Sequence, residues 1–352
     1  MRIASHLSNS AAEWGTPERV AFAERDRPLD RKCPERLNGP VDLRGGQGTQ
    51  PDDAGAPVLI DEARRRVRLT GEQLDVLGAI ALGEELTAAQ REPLTVLRAA
   101  GVVGEGMRVH PLAAALARAY GLPVIRFVVE VTGPQGLTLA HGVVHGEDVW
   151  LSDPWPAARP GDPVTYQRSE LPTWLWDVAR SVGLRRSRPP ADAAPVSLPV
   201  GALDDVLEVL AAVPPEDWER ARVAGIAATD AELLPVPGLP TVPLEPAART
   251  RLIAVLASLE SSWRVTVGWG EARTEGEAQA ARSLAVLDCG PEGYWRRTSP
   301  AEPVTTVRPE DEVRLEPVSA GEIWTALADL LPSSAELREE QALQAAAEGA
   351  RG

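Results

Sequence analysis

The stretch RSLAVLDCGPEGYWRRTS, residues 282–299, sets Asp288 beside Cys289, one of only two cysteines in the chain. An acid next to a thiol could serve nucleophilic chemistry, the thiolate attacking while a histidine takes its proton. The chain holds four histidines, and no motif around Cys289 points to one of them. Asp, Gly and Pro each favour a bend for their own backbone reasons, so Asp288-Cys289-Gly290-Pro291 reads as the turn of a hairpin. His141 and His145, in HGVVHGED, have the spacing that on a helix would put two imidazoles over one metal ion. On a strand, at about 3.3 Å per residue, they stand roughly 13 Å apart, too far to share one. Glu147 and Asp148 could act as paired carboxylates, but neighbours on a strand point to opposite faces. Neither a phosphate loop of the G-x-x-x-x-G-K-S/T type nor a G-x-S-x-G elbow occurs. The expectation is no catalytic residue, no metal and no cofactor, and a role other than an enzyme's.

The elements that must position these residues alternate between helical and strand periods. Thr70-Gly71-Glu72-Gln73 is a capping-box pattern, and Leu74, Leu77 and Ala81 follow it at helical spacing. Helices also read through PLTVLRAAGVV and HPLAAALARAYG, the latter running into the strand IRFVVEVTG. LTLAHGVV and EDVWLSDP form a hairpin joined by His145-Gly146. VTYQ adds a short strand before the helix SELPTWLWDVARSVG, which Ser169 caps. The second half repeats the order. ALDDVLEVLAAV places Leu203, Val206, Leu207 and Leu210 on one helical face, and PEDWERARVAGI follows as a shorter helix. AARTRLIAVLASLES leads into the strand SSWRVTVGWG. The 282–299 stretch comes next, then VRLEPV, then a helix capped by Ser319 and Glu322.

Laying LTLAHGVVHGEDVWLS over RSLAVLDCGPEGYWRR without a gap brings Leu139 onto Leu284, Ala140 onto Ala285, Glu147 onto Glu292 and Trp150 onto Trp295. It sets Val143 and Val144 against Asp288 and Cys289. Arg126 likewise matches Arg264, Ser169 matches Ser319, and Trp174 matches Trp324. Agreement of element order, caps and tryptophans reads as an internal duplication. The predicted class is α+β: a pseudo-twofold duplicated unit with a central antiparallel sheet flanked by helical bundles. Residues 1–56 read as a disordered leader, 57–184 as the first half, 185–199 as a linker, 200–332 as the second half, and 333–352 as a flexible or helical tail with no apolar stripe.

Composition narrows the functional classes. With 352 residues, 44% hydrophobic and 25% charged, the chain has the make-up of an ordinary globular protein of one large or two smaller domains. No apolar run approaches the roughly 18 residues a membrane helix needs, and MRIASHLSNS lacks the apolar block of a signal peptide, so a cytoplasmic protein without membrane insertion is expected. A net charge of −15 repels a phosphate backbone, which argues against nucleic acid as a partner. Cys33 and Cys289 lie far apart, the first in a segment without apolar period, so no stabilising disulfide is expected. Lys32 is the only lysine, a bias that points to a GC-rich genome.

Ten tryptophans stand against two phenylalanines. Most suit a core, where indole buries a large area. Trp269 ends a strand just before GEARTEGEAQA, a polar insertion that carries Glu271 and Arg273 and that the first half lacks. Trp218 sits in the short amphipathic helix PEDWERARVAGI. Trp218, Trp269, Glu271 and Arg273 are therefore the candidate partner-binding residues.

SSWRVTVGWG, RSLAVLDCGPEGYW and VSAGEIWTALADLLP together resemble the C-terminal region of the EspG family, cytosolic chaperones of type VII (ESX) secretion in actinobacteria. The likeness covers roughly residues 57–332, and its most local element is the turn formed by Asp288, Gly290, Gly293, Tyr294 and Trp295. The resemblance implies a non-enzymatic protein that holds the apolar tip of a helical secreted substrate of the PE/PPE kind and keeps it soluble for export. The family's partner contacts come from a sheet loop and the C-terminal helical bundle and follow no short motif that maps onto this chain. The long leader and the short loop Thr132-Gly133-Pro134-Gln135-Gly136 depart from the family pattern. The alternative is a winged-helix regulator built on residues 69–111, whose would-be recognition helix carries Arg91 and Arg98 beside Glu92.

Overall fold

Strands form where β-branched and aromatic residues alternate. The computed structural model describes residues 58–133, 136–153, 161–187, 189, 194–201, 203, 246–270, 280–298 and 310–349. The elements in chain order are β1 (Leu59–Asp61), β2 (Arg66–Leu69), α1 (Gly71–Leu82), α2 (Arg91–Ala99), α3 (Pro111–Gly121), β3 (Ile125–Gly133), β4 (Gly136–His145), β5 (Asp148–Ser152), β6 (Val164–Glu170), α4 (Trp174–Ser181) and β7 (Val196–Pro199). After these come α5 (Pro246–Ala257), β8 (Ser261–Trp269), β9 (Ala280–Asp288), β10 (Tyr294–Thr298), β11 (Glu312–Val318), α6 (Ala320–Ala328) and α7 (Ser334–Gly349). All the strands join one antiparallel sheet in the order β1-β2-β6-β5-β4-β3-β8-β9-β10-β11-β7.

Outward from the central β3–β8 pair the order reads alike on both sides: β4, β5, β6 and β2 on one, β9, β10, β11 and β7 on the other. The register follows the same correspondence. One row across the sheet runs Trp150, Val143, Arg126 and Gly268; its counterpart runs Trp295, Leu287, Ser262 and Thr132. These rows correct the gap-free overlay. Val143 answers to Leu287, not to Asp288, because the path from Leu287 to its partner Trp295 is one residue longer than that from Val143 to its partner Trp150. Arg126 answers to Ser262, not to Arg264.

Alternation along the strands splits the apolar residues between two faces. On one face a central cluster gathers Phe127, Val129, Ala140, Val265, Val267 and Leu284 from the strands under Trp174 and Val178 of α4 and Ile323 and Leu327 of α6. On the other, Trp150, Val143, Tyr166, Val67 and Leu69 pack beneath α1 to α3, while Trp295, Leu287, Leu315, Val313, Val196 and Leu198 pack beneath α5. Trp150 and Trp295 therefore anchor corresponding clusters. Trp174 and Trp324 do not correspond: Trp174 is fully buried, and Ile323 takes the matching core place on α6.

Local signals set the helix starts. Thr70 and Gln73 exchange the two capping-box hydrogen bonds at 2.9 and 3.3 Å, and Ser319 and Glu322 do so at 2.7 and 3.2 Å. Leu74 and Leu77 are buried as expected, whereas Ala81 is exposed and Val76 and Ala79 take the core face. Ser169 caps nothing. It pairs with Val149 inside β6, because cross-strand pairing carries that strand on to Glu170 before Pro172 turns the chain into α4. Residues 196–199, read as the end of a linker, are instead the edge strand β7, paired to β11. The tail from Ser334 is α7, whose Leu337 packs on the central cluster. The leader, the helices read over 202–213 and 215–226 apart from Leu203, and Cys33 lie outside the described residues. Among the described residues no helix is long and apolar enough to cross a membrane.

Candidate functional site

Asp288 ends β9 opposite Tyr294. Its Oδ1 accepts the Gly290 N–H at 2.8 Å, and its Oδ2 lies 3.8 Å from the guanidinium of Arg185, which also grips Glu260. The Arg185 N–H donates to Tyr294 Oη at 3.0 Å, and the tyrosine hydroxyl donates back to the Arg185 carbonyl at 3.3 Å. Gly290 has φ +58°, and a Cβ there would stand 2.1 Å from Glu260 Oε1, so both conformation and space demand glycine. Burial pushes the Asp288 carboxyl above its ordinary value, with the Gly290 N–H and Arg185 opposing and the charge of Glu260 adding to the rise. Cys289 is buried, its thiol directed at the Val255 carbonyl 3.4 Å away. Burial, reinforced by the charges of Asp288, Glu260 and Glu292, pushes that thiol up to about 12. Such a group supplies almost no thiolate at neutral pH. The cluster is a clasp: it ties the chain leaving α4 to the β9–β10 turn, and residues 290–292 form the single 3-10 turn that closes the bend.

His141 and His145 stand in one strand, β4. His145 Nδ1 lies 2.8 Å from the Leu122 carbonyl, and the His141 backbone N–H donates to Ser152 Oγ at 2.7 Å. Desolvation holds the His141 imidazole below its ordinary value against the charge of Glu130. Asp148 is engaged by the Arg168 guanidinium at 2.7 to 2.9 Å. Glu147 lies in the turn, where its carbonyl accepts the Leu171 N–H at 2.9 Å. Among the described residues no three His, Cys, Asp or Glu side chains converge as metal ligands would.

A concavity lies on the face of the central cluster, beside α4. It is an open groove of about 550 Å³ floored by Val129, Val131, Thr138, Ala140 and Leu151, with Gly133 and Gly136 at one end. Arg66, Thr165, Gln167 and Ser169 form one flank, and Asp177, Arg180 and Ser181 of α4 form the other. The floor is apolar because alternate residues of β3, β4 and β5 face it, and the flanks are polar because β6 and β2 approach the sheet edge. Such a floor and rim suit an apolar surface with a hydrogen-bonding margin. Arg180 is paired with Asp177. Arg66 donates to the neutral Gln167 Oε1 at 3.0 Å and makes no ion pair among the described residues. A shallower recess continues past Gln167 and Asp177 toward Arg64, Arg168 and Trp176. Trp176 is 66% exposed and stands edge-on to Trp324 at 4.7 Å. Sequence reasoning missed this groove, whose shape comes from small residues on paired strands and carries no motif.

Of the four residues expected at a partner surface, Trp269 is placed in the core, 7% exposed, with the Arg282 guanidinium 5.1 Å above its ring. Trp218, Glu271 and Arg273 lie outside the described residues. The winged-helix alternative rests on α2, which buries Pro93 and Leu97 and exposes Arg91, Glu92, Val96 and Arg98. Two arginines beside an acid and an apolar residue do not make a stripe that tracks phosphates.

No family model matches the chain, and no curated protein matches it. Among solved structures it is similar to the Mycobacterium tuberculosis type VII secretion system chaperone EspG5 in complex with a PE25-PPE41 dimer, at 14% sequence identity over 76% of this chain and 97% of that chain, with a TM-score of 0.43.

Proposed function

We propose that this protein is a non-enzymatic cytoplasmic chaperone or adaptor that holds an apolar surface of a helical, PE/PPE-like substrate of type VII secretion and keeps it soluble until export. The observation that carries the reading is the open groove over Val129, Val131, Ala140 and Leu151, apolar at its floor and polar at its flanks. Capture of a helix needs area and a polar margin. The sequence resemblance to the EspG family supplies the class of partner. The proposed internal duplication is supported by the matching strand order and register on the two sides of β3 and β8.

The test is co-expression with the helical secreted proteins encoded nearby. The proposal expects at least one of them to pass from the insoluble to the soluble fraction and to co-purify at a fixed ratio. Failure of every neighbouring candidate under conditions where the chain itself is folded would overturn it.

A further inference from the structure

The two sides of the sheet correspond, yet among the described residues one of the two corresponding grooves is filled and the other is open. On the second side the Val267–Arg282 and Trp269–Ala280 pairs of β8 and β9 lie under α7. Leu337 packs on the central cluster, Arg282 pairs with Glu336 and donates to the Leu331 carbonyl at 3.1 Å, and Glu340 lies where a Gly270 Cβ would come within 2.7 Å of it. On the first side the matching pairs of β3 and β4 are Val131–Thr138 and Gly133–Gly136. A tryptophan is replaced by glycine, an alanine by glycine and an arginine by threonine, and these smaller residues leave the groove. The chain also behaves differently after the covering helix. Past α6 it turns at Leu331-Pro332 straight into α7, whereas past α4 it crosses through Leu184 to the clasp at Arg185. The first side thus has the seat for a helix, and among the described residues no helix lies in it.

We propose that this groove seats one amphipathic helix of a partner protein, laid against β3 and β4 as α7 is laid against β8 and β9. Its apolar side chains cover Val129, Val131, Ala140 and Leu151, and one of its carboxylates meets Arg66. The helical form follows from what fills the corresponding place. The carboxylate follows from Arg66, whose guanidinium lines the groove and donates to the neutral amide of Gln167; Asp61 is its charged cross-strand neighbour, and the remaining N–H groups can take a charge-assisted bond from the partner. The inference names the binding mode at the site described above and rests on the binding reading, but not on the partner being a secretion substrate.

Two measurements on the full chain test it. In the first, the photo-cross-linker p-benzoylphenylalanine replaces Ser169 on the half-exposed flank of the groove, and the probe is a biotinylated peptide with the sequence of residues 333–349, the chain's own example of the helix class. The expected result is cross-linking at least about tenfold above that of the same peptide carrying Leu343→Pro, a helix-breaking change. Equal labelling by the two peptides, or none by either, overturns the seat. In the second, Gly133→Trp fills the groove with the residue found at the matching place. A Cβ at Gly133 meets only ordinary contacts, 3.5 Å from the Glu260 carbonyl oxygen and Ser261 Cβ, so the fold should survive, as an unchanged melting temperature would verify. A helical partner captured by the wild-type chain should be lost from Gly133→Trp. Its retention overturns this seat while leaving the chaperone reading intact. Peptide labelling with no secreted partner captured has the reverse meaning, upholding the seat and sinking the chaperone reading.

Discussion

The ring of Phe127 on β3 lies over Gly142 on β4, so close that a Cβ at position 142 would sit 2.1 Å from Cζ. The two residues are directly paired, and the ring stands edge-on to Trp174 of α4 at 5.8 Å and 89°. Glycine inside a strand ordinarily weakens it, so Gly→Ala there should stabilise by up to about 1 kcal/mol. Here the sign reverses. Gly142→Ala must push the ring out of the central cluster, at an overpacking cost of about 1–3 kcal/mol. Urea denaturation should show this loss, and Phe127→Leu in the same chain should recover part of it. A stabilised Gly142→Ala protein would show that the ring is not held there.

Cys289 should be inert while the protein is folded. Its thiol is pushed up to about 12 by burial and by the acids around it, and its side chain is 1% exposed. Both effects suppress attack, since only an accessible thiolate reacts. In a Cys33→Ser background, labelling by a maleimide near neutral pH should be on the order of a hundredfold slower than for a free cysteine, and should become complete in denaturant. Rapid labelling of the folded protein would revive the nucleophile that the sequence first suggested.

Asp288 gives the clasp a pH signature. Burial raises its carboxyl above the ordinary value of 3.8, more than the Gly290 N–H and Arg185 lower it. The folded protein therefore holds this proton more tightly than the unfolded chain does. Where the folded state binds more protons, stability falls as pH rises. The loss begins near the unfolded value, continues through the folded one and persists above it. Asp288→Asn keeps an oxygen for the Gly290 N–H and removes the titration. The melting temperature of the variant relative to wild type should thus rise across that window and then level off. A difference that stays flat with pH would show that Asp288 is not the group responsible.

What the sequence discloses depends on how local the cause is. The strand Ile125–Gly133 and the caps at Thr70 and Ser319 were legible because each is decided by side-chain alternation or by residues three apart. Ser169 was misread as a cap because what keeps it extended is Val149 on another strand. β7 hides among prolines, and only pairing with β11 makes it a strand. The path from Leu287 to Trp295 is one residue longer than that from Val143 to Trp150, which shifted the overlay of Val143 and shows only in the cross-strand pairing. The groove was least legible. It exists because Gly133 and Thr138 are smaller than Trp269 and Arg282, a comparison that means nothing until register makes them equivalents.

If α7 is a lid over its own groove, removing it should expose that groove without unfolding the sheet. A chain ending at Pro332 loses Leu337 from the central cluster and the Glu336 partner of Arg282. Trp269 would then lie near solvent. The expected outcome is retained strand content by circular dichroism, greater binding of an apolar dye, and a red-shifted tryptophan emission that Trp269→Phe abolishes. Collapse of the sheet signal on truncation would instead make α7 part of the core.

Trp176 should matter more for binding than for stability. Its ring is 66% exposed and borders the recess that continues the groove, while its one aromatic contact is with Trp324. An edge-on aromatic pair contributes roughly 0.5–1.5 kcal/mol, so Trp176→Ala should lower stability by no more than about that. At an interface, a tryptophan that a partner covers is worth about 2 kcal/mol or more. The same substitution should then weaken partner binding by roughly thirtyfold. Thermal denaturation and titration calorimetry on one variant separate the two effects. A helix lying along the groove and reaching the recess demands the larger binding loss. Equal affinity for wild type and Trp176→Ala would confine the partner to the end of the groove near Gly133 and Gly136, away from this tryptophan.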